Sequence, residues 1–209
     1  MHPATHSHGT SARPWNKGCL IGPKLALKPR QVWSVRFHLK REGQARDLAL
    51  FDLAVDSKLR GCDLVQLRVG DLLSGGVVRS RTQIVQRKTR TPVQFEVTQG
   101  TRESVLAWLR QCGAKLGDHL FPSRRRDRDC LSTRHYARLL KGWLLKVGIE
   151  PSAYGTHSLR RTKGALIYRQ TGNLRAIQIL LGHTKLDSTV RYLGVEIEDA
   201  LALAEAVDI

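Results

Sequence analysis

The spacing of apolar residues changes twice along this chain, and that change restricts the fold more than any single motif. Val32, Val35 and Leu39 recur at helical intervals. Between residues 77 and 97 the pattern becomes alternation: Val77-Val78, Ile84-Val85, then Val93, Phe95 and Val97 with polar residues between them. Helical spacing returns with Val105, Leu106, Trp108 and Leu109. A period near 3.6 marks a helix with one buried face, and a period of 2 marks a strand with one buried face. The chain is therefore expected to be mainly α with a small antiparallel β-sheet of two or three strands inserted early, an α+β architecture.

Punctuation residues divide this pattern into elements. Pro29 suits a first helical position, and Gly43 closes that segment. Residues 45–58 form a second helix whose Leu48, Phe51, Leu53 and Val55 leave it apolar on more than one side, so it is expected to be buried. A short helix is placed at 63–67, and turns at Gly75-Gly76 and 90–92. A helix over 101–112 follows, and then a loop carrying Phe121-Pro122 and the charge run 124–128. Ser132 is a good N-cap for a helix through Lys146, ended by Gly148. Thr156 can cap a helix that stops at Gly172, and Asn173 one that stops at Gly182. A segment at 188–193 and a last helix at about 196–207 finish the chain. Residues 1–28, interrupted by Pro3, Pro14, Gly18, Gly22 and Pro23, read as an irregular basic arm, leaving 29–209 as the folded domain.

The charge identifies a class of partner. Thirty-five Lys and Arg stand against 18 Asp and Glu in 209 residues, a net charge of +17. Such an excess favours a polyanion, because each phosphate neutralised releases condensed counterions. No stretch approaches the roughly 18–20 apolar residues that a membrane span needs. The N-terminus lacks the apolar core of a secretory signal. A bacterial cytoplasmic, nucleoid-associated location is the expectation. Cys19, Cys62, Cys112 and Cys130 form no Cys-x-x-Cys pair, so they are expected to be reduced thiols and not zinc ligands. His2, His6 and His8 read as a solvated tail.

Four stretches carry side chains suited to phosphate chemistry. In Gly155-Thr-His-Ser-Leu-Arg-Arg-Thr162, His157 and Arg160 lie three apart and share a helix face. They can place an imidazole and a guanidinium on one phosphate, and the guanidinium fork cannot lose its charge. Taken alone the pair is as readily a solvated basic face. Leu181-Gly-His183 precedes Thr189-Val-Arg-Tyr-Leu193, with Tyr192 nine positions after a histidine exposed at a helix end. A lone Tyr is normally packing, since a free phenol pKa of about 10 makes it a poor nucleophile. Arg60 follows the buried helix in Ser57-Lys-Leu-Arg60-Gly-Cys-Asp63. Lys88 sits at the strand tip in Gln86-Arg-Lys88-Thr-Arg-Thr-Pro92. Either cation alone reads as a surface charge.

Jointly these residues resemble the tyrosine recombinases, the phage integrase-type site-specific recombinases. The order matches: an Arg after an early helix, a Lys on a β-hairpin, His-x-x-Arg, Leu-Gly-His, then Tyr, over about residues 45–209. The resemblance implies that Tyr192 attacks the scissile phosphate to give a 3′-phosphotyrosyl link and a free 5′-hydroxyl. It implies that Arg60 and Arg160 hold the non-bridging oxygens and that His183 donates a hydrogen bond to them. Lys88 would be the general acid for the leaving oxygen, and His157 the proton acceptor for Tyr192 or an orienting group. Asp63 is expected to be structural support. Arg87, Arg90, Arg161, Lys163, Lys17 and Lys24 are the expected DNA contacts. Fixed cations stabilise charge on the equatorial oxygens. The phosphotyrosyl ester retains the energy of the broken bond, so neither ATP, metal nor any other cofactor is expected.

The resemblance also implies double-stranded DNA as partner and a homo-oligomer of four protomers on paired sites. The helix at 196–207, with Ile197, Leu201, Leu203 and Ala204 as its apolar stripe, would either dock on a neighbour or pack on its own domain. Only 59 residues precede Arg60, so the family's N-terminal clamp domain is not expected to fit, which leaves room for an accessory protein. Three functions stay open: a site-specific recombinase or integrase of a mobile element, a DNA-binding accessory protein with the recombinase fold, and a topoisomerase-like relaxing enzyme.

Overall fold

The computed structural model describes residues 24–124, 129–193 and 205, the side chain of Arg191 excepted. The arm 1–23 with Lys17, the loop 125–128 and, apart from Glu205, the expected helix at 196–207 lie outside the described residues. Helix α1 (Pro29–Arg41) starts on Pro29, where the Lys28 amide donates to Gln31 Oε1 at 2.8 Å. Helix α2 (Ala45–Asp56) is the element the rest surrounds. It packs on α1, on α5 (Gln99–Cys112) and on α7 (Thr156–Thr171). Ala49 through Asp56 are all buried, as expected of a helix apolar on more than one side. Phe51 meets Trp143 of α6 (Thr133–Lys146) edge to face at 5.9 Å, and the Trp143 indole donates to Asp47 Oδ2 at 3.0 Å. Each such large apolar side chain contributes about 1.5–3 kcal/mol on burial.

After α2 come α3 (Gly61–Leu64) and α4 (Val69–Leu72), the second of which was not expected. The strands form two separate antiparallel ladders in place of one small sheet. Strand β1 (Leu73–Ser74) pairs with β2 (Val77–Val78), and β3 (Arg81–Val85) with β4 (Pro92–Glu96). In the longer ladder Thr82 faces Phe95 and Ile84 faces Val93; Thr82, Val93 and Phe95 are buried, whereas Ile84 is partly buried and packs against the core. Gly75 and Gly76 take positive φ in the short turn.

Ser132 caps α6 through its hydroxyl, and Asn173 caps α8 (Leu174–Leu181) with Oδ1. Thr156 is the first residue of α7 and not its cap; Gly155 occupies that position, its amide donating to Ser158 Oγ at 3.0 Å. A short 3₁₀ turn (Pro151–Ala153) precedes it, and α9 (Leu186–Leu193) follows α8. Cys62 and Cys112 are free thiols. No described helix is long and apolar enough to cross a membrane.

Candidate active site

The candidate side chains come from five places far apart in the chain, and local geometry fixes each. Helix α2 ends at Asp56, and Lys58 then takes a left-handed φ of 54° that turns the chain out of the helix. Arg60 follows in extended conformation as the residue before α3. Its Nη1 donates to Oε1 of Gln86, a fully buried amide at the base of the β3–β4 tip. The same oxygen accepts from Thr89 Oγ1 at 2.9 Å. The Gln86 amide donates to Thr91 O at 3.0 Å, and its carbonyl accepts from the Arg90 amide at 2.8 Å. The Arg87 amide donates to buried Asp63 Oδ1 at 2.9 Å. Asp63 therefore supports the tip that carries Lys88, which is exposed.

Helix α7 supplies His157, Arg160 and Arg161. Arg160 is 2% exposed; its Nη2 donates to the Leu181 carbonyl at 2.6 Å, and its Nη1 is buried without a partner among the described residues. That Leu181 carbonyl ends α8, which Gly182 terminates at φ 64°. A Cβ at Gly182 would stand 2.7 Å from Val93 Cγ2, so the α8 end abuts β4 too closely for any other residue. The next residue, His183, is thereby aimed into the site. Its Nδ1 lies 3.1 Å from the hydroxyl of buried Thr189 in α9. With that hydroxyl as donor, the ring carries its proton on Nε2, free to donate to an anion.

Tyr192 lies one turn further along α9. Its hydroxyl donates to the His157 carbonyl at 3.3 Å. Its ring is 5.3 Å from that of His183 at 82°, and the guanidinium carbons of Arg161 and Arg160 stand 4.8 and 5.9 Å from its centroid. The electrostatics follow. Burial pushes the Tyr192 phenol up to about 12, although Arg160, Arg161 and Arg60 pull the other way. Burial, then the charges of Arg160 and Arg60, depress His183 to about 4. His157 is lowered by burial and by Arg160, Arg161, Arg60 and Lys88, so both imidazoles are neutral at pH 7. The charge of Lys88 thus reaches the site from the hairpin tip.

Arg60, His157, Arg160, His183 and Tyr192 are gathered in one place, with Lys88 at its edge. Arg87 and Arg90 are exposed beside Lys88, with Arg90 at a left-handed φ of 55°. Lys24 is exposed, and its ammonium donates to the Ser152 carbonyl at 2.6 Å. Two residues expected to contact DNA have partners within the protein. Lys163 pairs with Asp56 at 2.9 Å and Glu96 at 2.7 Å. Arg161 is 9% exposed, donates Nη1 to the Lys24 carbonyl, and lies over Tyr192. Both face inward because α7 is covered on that side by α2, β4 and the segment entering α1. Gln86 and Thr189 carry no sequence signal; only their contacts reveal them. No group of three or more His, Cys, Asp or Glu side chains suited to a metal occurs among the described residues.

A helix-rich domain with a β-ribbon, gathering two arginines and two imidazoles around a partly buried phenol, defines a tyrosine recombinase catalytic domain. The Phage integrase family model matches residues 27–198, and the chain belongs to that family. It is 26% identical over 188 residues to the probable integrase/recombinase YoeC of Bacillus subtilis, covering 90% of this chain and 97% of that one. It is 39% identical over 154 residues to the tyrosine recombinase XerA of Thermococcus kodakarensis, covering 73% and 52%. The chain thus spans about half the length of that relative. The fold matches a crystal structure of the XerH site-specific recombinase bound to difH substrate, with a TM-score of 0.69, 18% identity, and coverage of 88% of this chain and 54% of that one.

Proposed function

We propose that this protein breaks and rejoins double-stranded DNA at specific sites through a covalent link to Tyr192. The observation that carries the reading is the placement of Arg160, with one nitrogen fixed on Leu181 O and another buried and, among the described residues, without a hydrogen-bond partner beside the Tyr192 ring. A phosphate oxygen there would complete its hydrogen bonding, and a guanidinium held in place stabilises charge as it builds on the phosphorus oxygens. The Tyr192 oxygen bonds to phosphorus, its proton passes to His157 or solvent, and the 5′-oxygen leaves with a proton from Lys88. Arg60 and His183 hold the non-bridging oxygens. The reverse attack by the 5′-hydroxyl restores the backbone, so neither ATP nor metal is needed. The DNA-bound XerH neighbour and the net charge of +17 support DNA as the substrate. Arg87, Arg90 and Lys24 would hold its backbone. Assembly of four protomers through residues 196–207 is part of the same proposal.

Trapping on a nicked duplex that loses the short strand after cleavage tests this. Wild type gives a denaturant-resistant protein–DNA adduct, in EDTA as without it, and Tyr192→Phe gives none while still binding. A wild type that binds duplex but forms no adduct on any nicked substrate would overturn the enzymatic reading in favour of an accessory one.

A further inference from the structure

Arg161 is the cation nearest the Tyr192 ring, and three of its features distinguish it from Arg160. Its guanidinium carbon stands 4.8 Å from the ring centroid, over the π-face and closer than that of Arg160. Its Nη1 is committed to the Lys24 carbonyl, and its Nε is buried without a partner among the described residues. The stretch it grips is clipped at three further points, one on α7 and two on the 3₁₀ turn that precedes it. The Leu27 amide donates to Thr162 Oγ1 at 3.0 Å, the Leu25 amide to the Ala153 carbonyl at 3.0 Å, and the Lys24 ammonium to the Ser152 carbonyl at 2.6 Å. Thr162 Oγ1 in turn donates to Ser158 O at 2.7 Å, which keeps that contact on the α7 backbone.

We propose that Arg161 is a positioning residue for Tyr192, seating the phenol through its ring face and tying it to residues 24–27, the segment that enters α1. The inference rests on Tyr192 being the nucleophile. A cation over the electron-rich face restricts the ring without occupying the hydroxyl. The His157 carbonyl, the His183 edge and the Arg161 face supply three directions of restraint. A guanidinium suits the role because it spans two partners at once, the Lys24 carbonyl on one side and the ring on the other. A pull on residues 24–27 would then be felt at the nucleophile through one side chain.

The test compares wild type, Arg161→Met, Arg161→Lys and Leu25→Pro, which removes the Leu25 amide hydrogen. Each is measured for unfolding, duplex binding against salt, single-turnover adduct formation on the nicked duplex, and titration of the Tyr192 phenol by ultraviolet difference against Tyr192→Phe. Arg161→Met is expected to bind within about threefold of wild type with an unchanged salt slope. It should form adduct at least tenfold more slowly, with its phenol titrating at higher pH. Arg161→Lys should recover the phenol titration but only part of the rate. Leu25→Pro should slow adduct formation with the phenol titration unmoved, and its effect should be less than additive with Arg161→Met. The proposal is overturned if Arg161→Met cleaves at the wild-type rate. It is also overturned if that variant loses binding and about one unit of salt slope together, which would place Arg161 on the DNA backbone. If wild type forms no adduct, the enzymatic reading fails instead, and an unmoved phenol titration in Arg161→Met then sinks the seating role on its own.

Discussion

The imidazole of His183 meets the phenol ring of Tyr192 edge to face, 5.3 Å between centroids with the planes at 82°. This contact joins the end of α8 to α9, and it needs a neutral imidazole among the arginines. Burial and the charges of Arg160 and Arg60 keep it neutral by lowering its pKa from 6.5 to about 4.

That depression sets a pH dependence for folding. The unfolded chain binds a proton at His183 near pH 6.5 and the folded one only near pH 4. Below 6.5 the unfolded state therefore takes up more protons, and stability falls as pH drops from about 6.5 to about 4. His157 is shifted in the same sense and adds to the decline. Denaturant melts at pH 7, 5.5 and 4.5 should show this loss, and His183→Gln should flatten it. A wild-type midpoint constant across that window would contradict the burial of the imidazole.

Cleavage should have its own pH limit. If His157 accepts the Tyr192 proton, adduct formation levels off at neutral pH and slows only at a pH below the ordinary imidazole value of 6.5, because burial and the neighbouring cations lower His157. His157→Gln should lower the plateau by about 10²–10⁴, the range for loss of a proton acceptor. Single-turnover rates from pH 5 to 8 measure both.

Arg160→Ala should reduce adduct formation by roughly 10²–10³, about 3–4 kcal/mol of transition-state stabilisation. Arg160→Lys should not restore it. One ammonium cannot both donate to Leu181 O and present a second rigid N–H to the phosphate. Rates on the nicked duplex, with binding measured alongside, separate this from loss of affinity.

Gly182→Ala should cost about 2–4 kcal/mol, combining a left-handed φ of 64° with a Cβ 2.7 Å from Val93 Cγ2. Adding Val93→Ala should relieve the overlap but not the backbone term, leaving the double variant still less stable than Val93→Ala alone. Chemical denaturation of the four proteins measures the cycle.

Asp56→Asn should destabilise by about 3 kcal/mol, the lower end for breaking a buried ion pair, because Lys163 keeps Glu96. Burial by itself would raise the Asp56 carboxyl, but Thr101, Thr98 and Lys163 hold it below 3.8. Its contribution is therefore fully present above the unfolded value of 3.8 and is lost only as pH falls below that through the lower folded value. Thermal melts at pH 7 and at steps below pH 3.8 should show a large difference between Asp56→Asn and wild type at the first, shrinking only in the acid steps.

The residues legible from sequence are those whose side-chain type is itself the chemistry. Arg60, His157, Arg160, His183 and Tyr192 sit in short motifs with helix stops around them, and Gly182 announced the turn that exposes His183. The helices of the core were equally readable, because Ser132, Asn173, Gly148 and Gly172 punctuate a clean period. The internal partners of Lys163 and Arg161 were not legible, because beside Arg160 they look like one basic face. A helix advances about 100° per residue, and their partners come from 107 and 137 positions away. Gln86 gave no warning, since a neutral amide within a charge run looks like a solvated loop residue. The split of the strands into two ladders was hidden because alternation shows which face is buried, not which strand is the neighbour.

Among the described residues, the ribbon that carries Lys88 has two strands and no third to stiffen it. Its tip is secured by Gln86 to Arg60 and by Arg87 to Asp63. On the proposed mechanism, proton delivery from Lys88 and attack by Tyr192 would therefore come from two different elements of the fold. Amino-acid changes confined to the finger could alter how fast the broken strand departs, or how long it lingers before resealing, while leaving the tyrosine's cradle untouched.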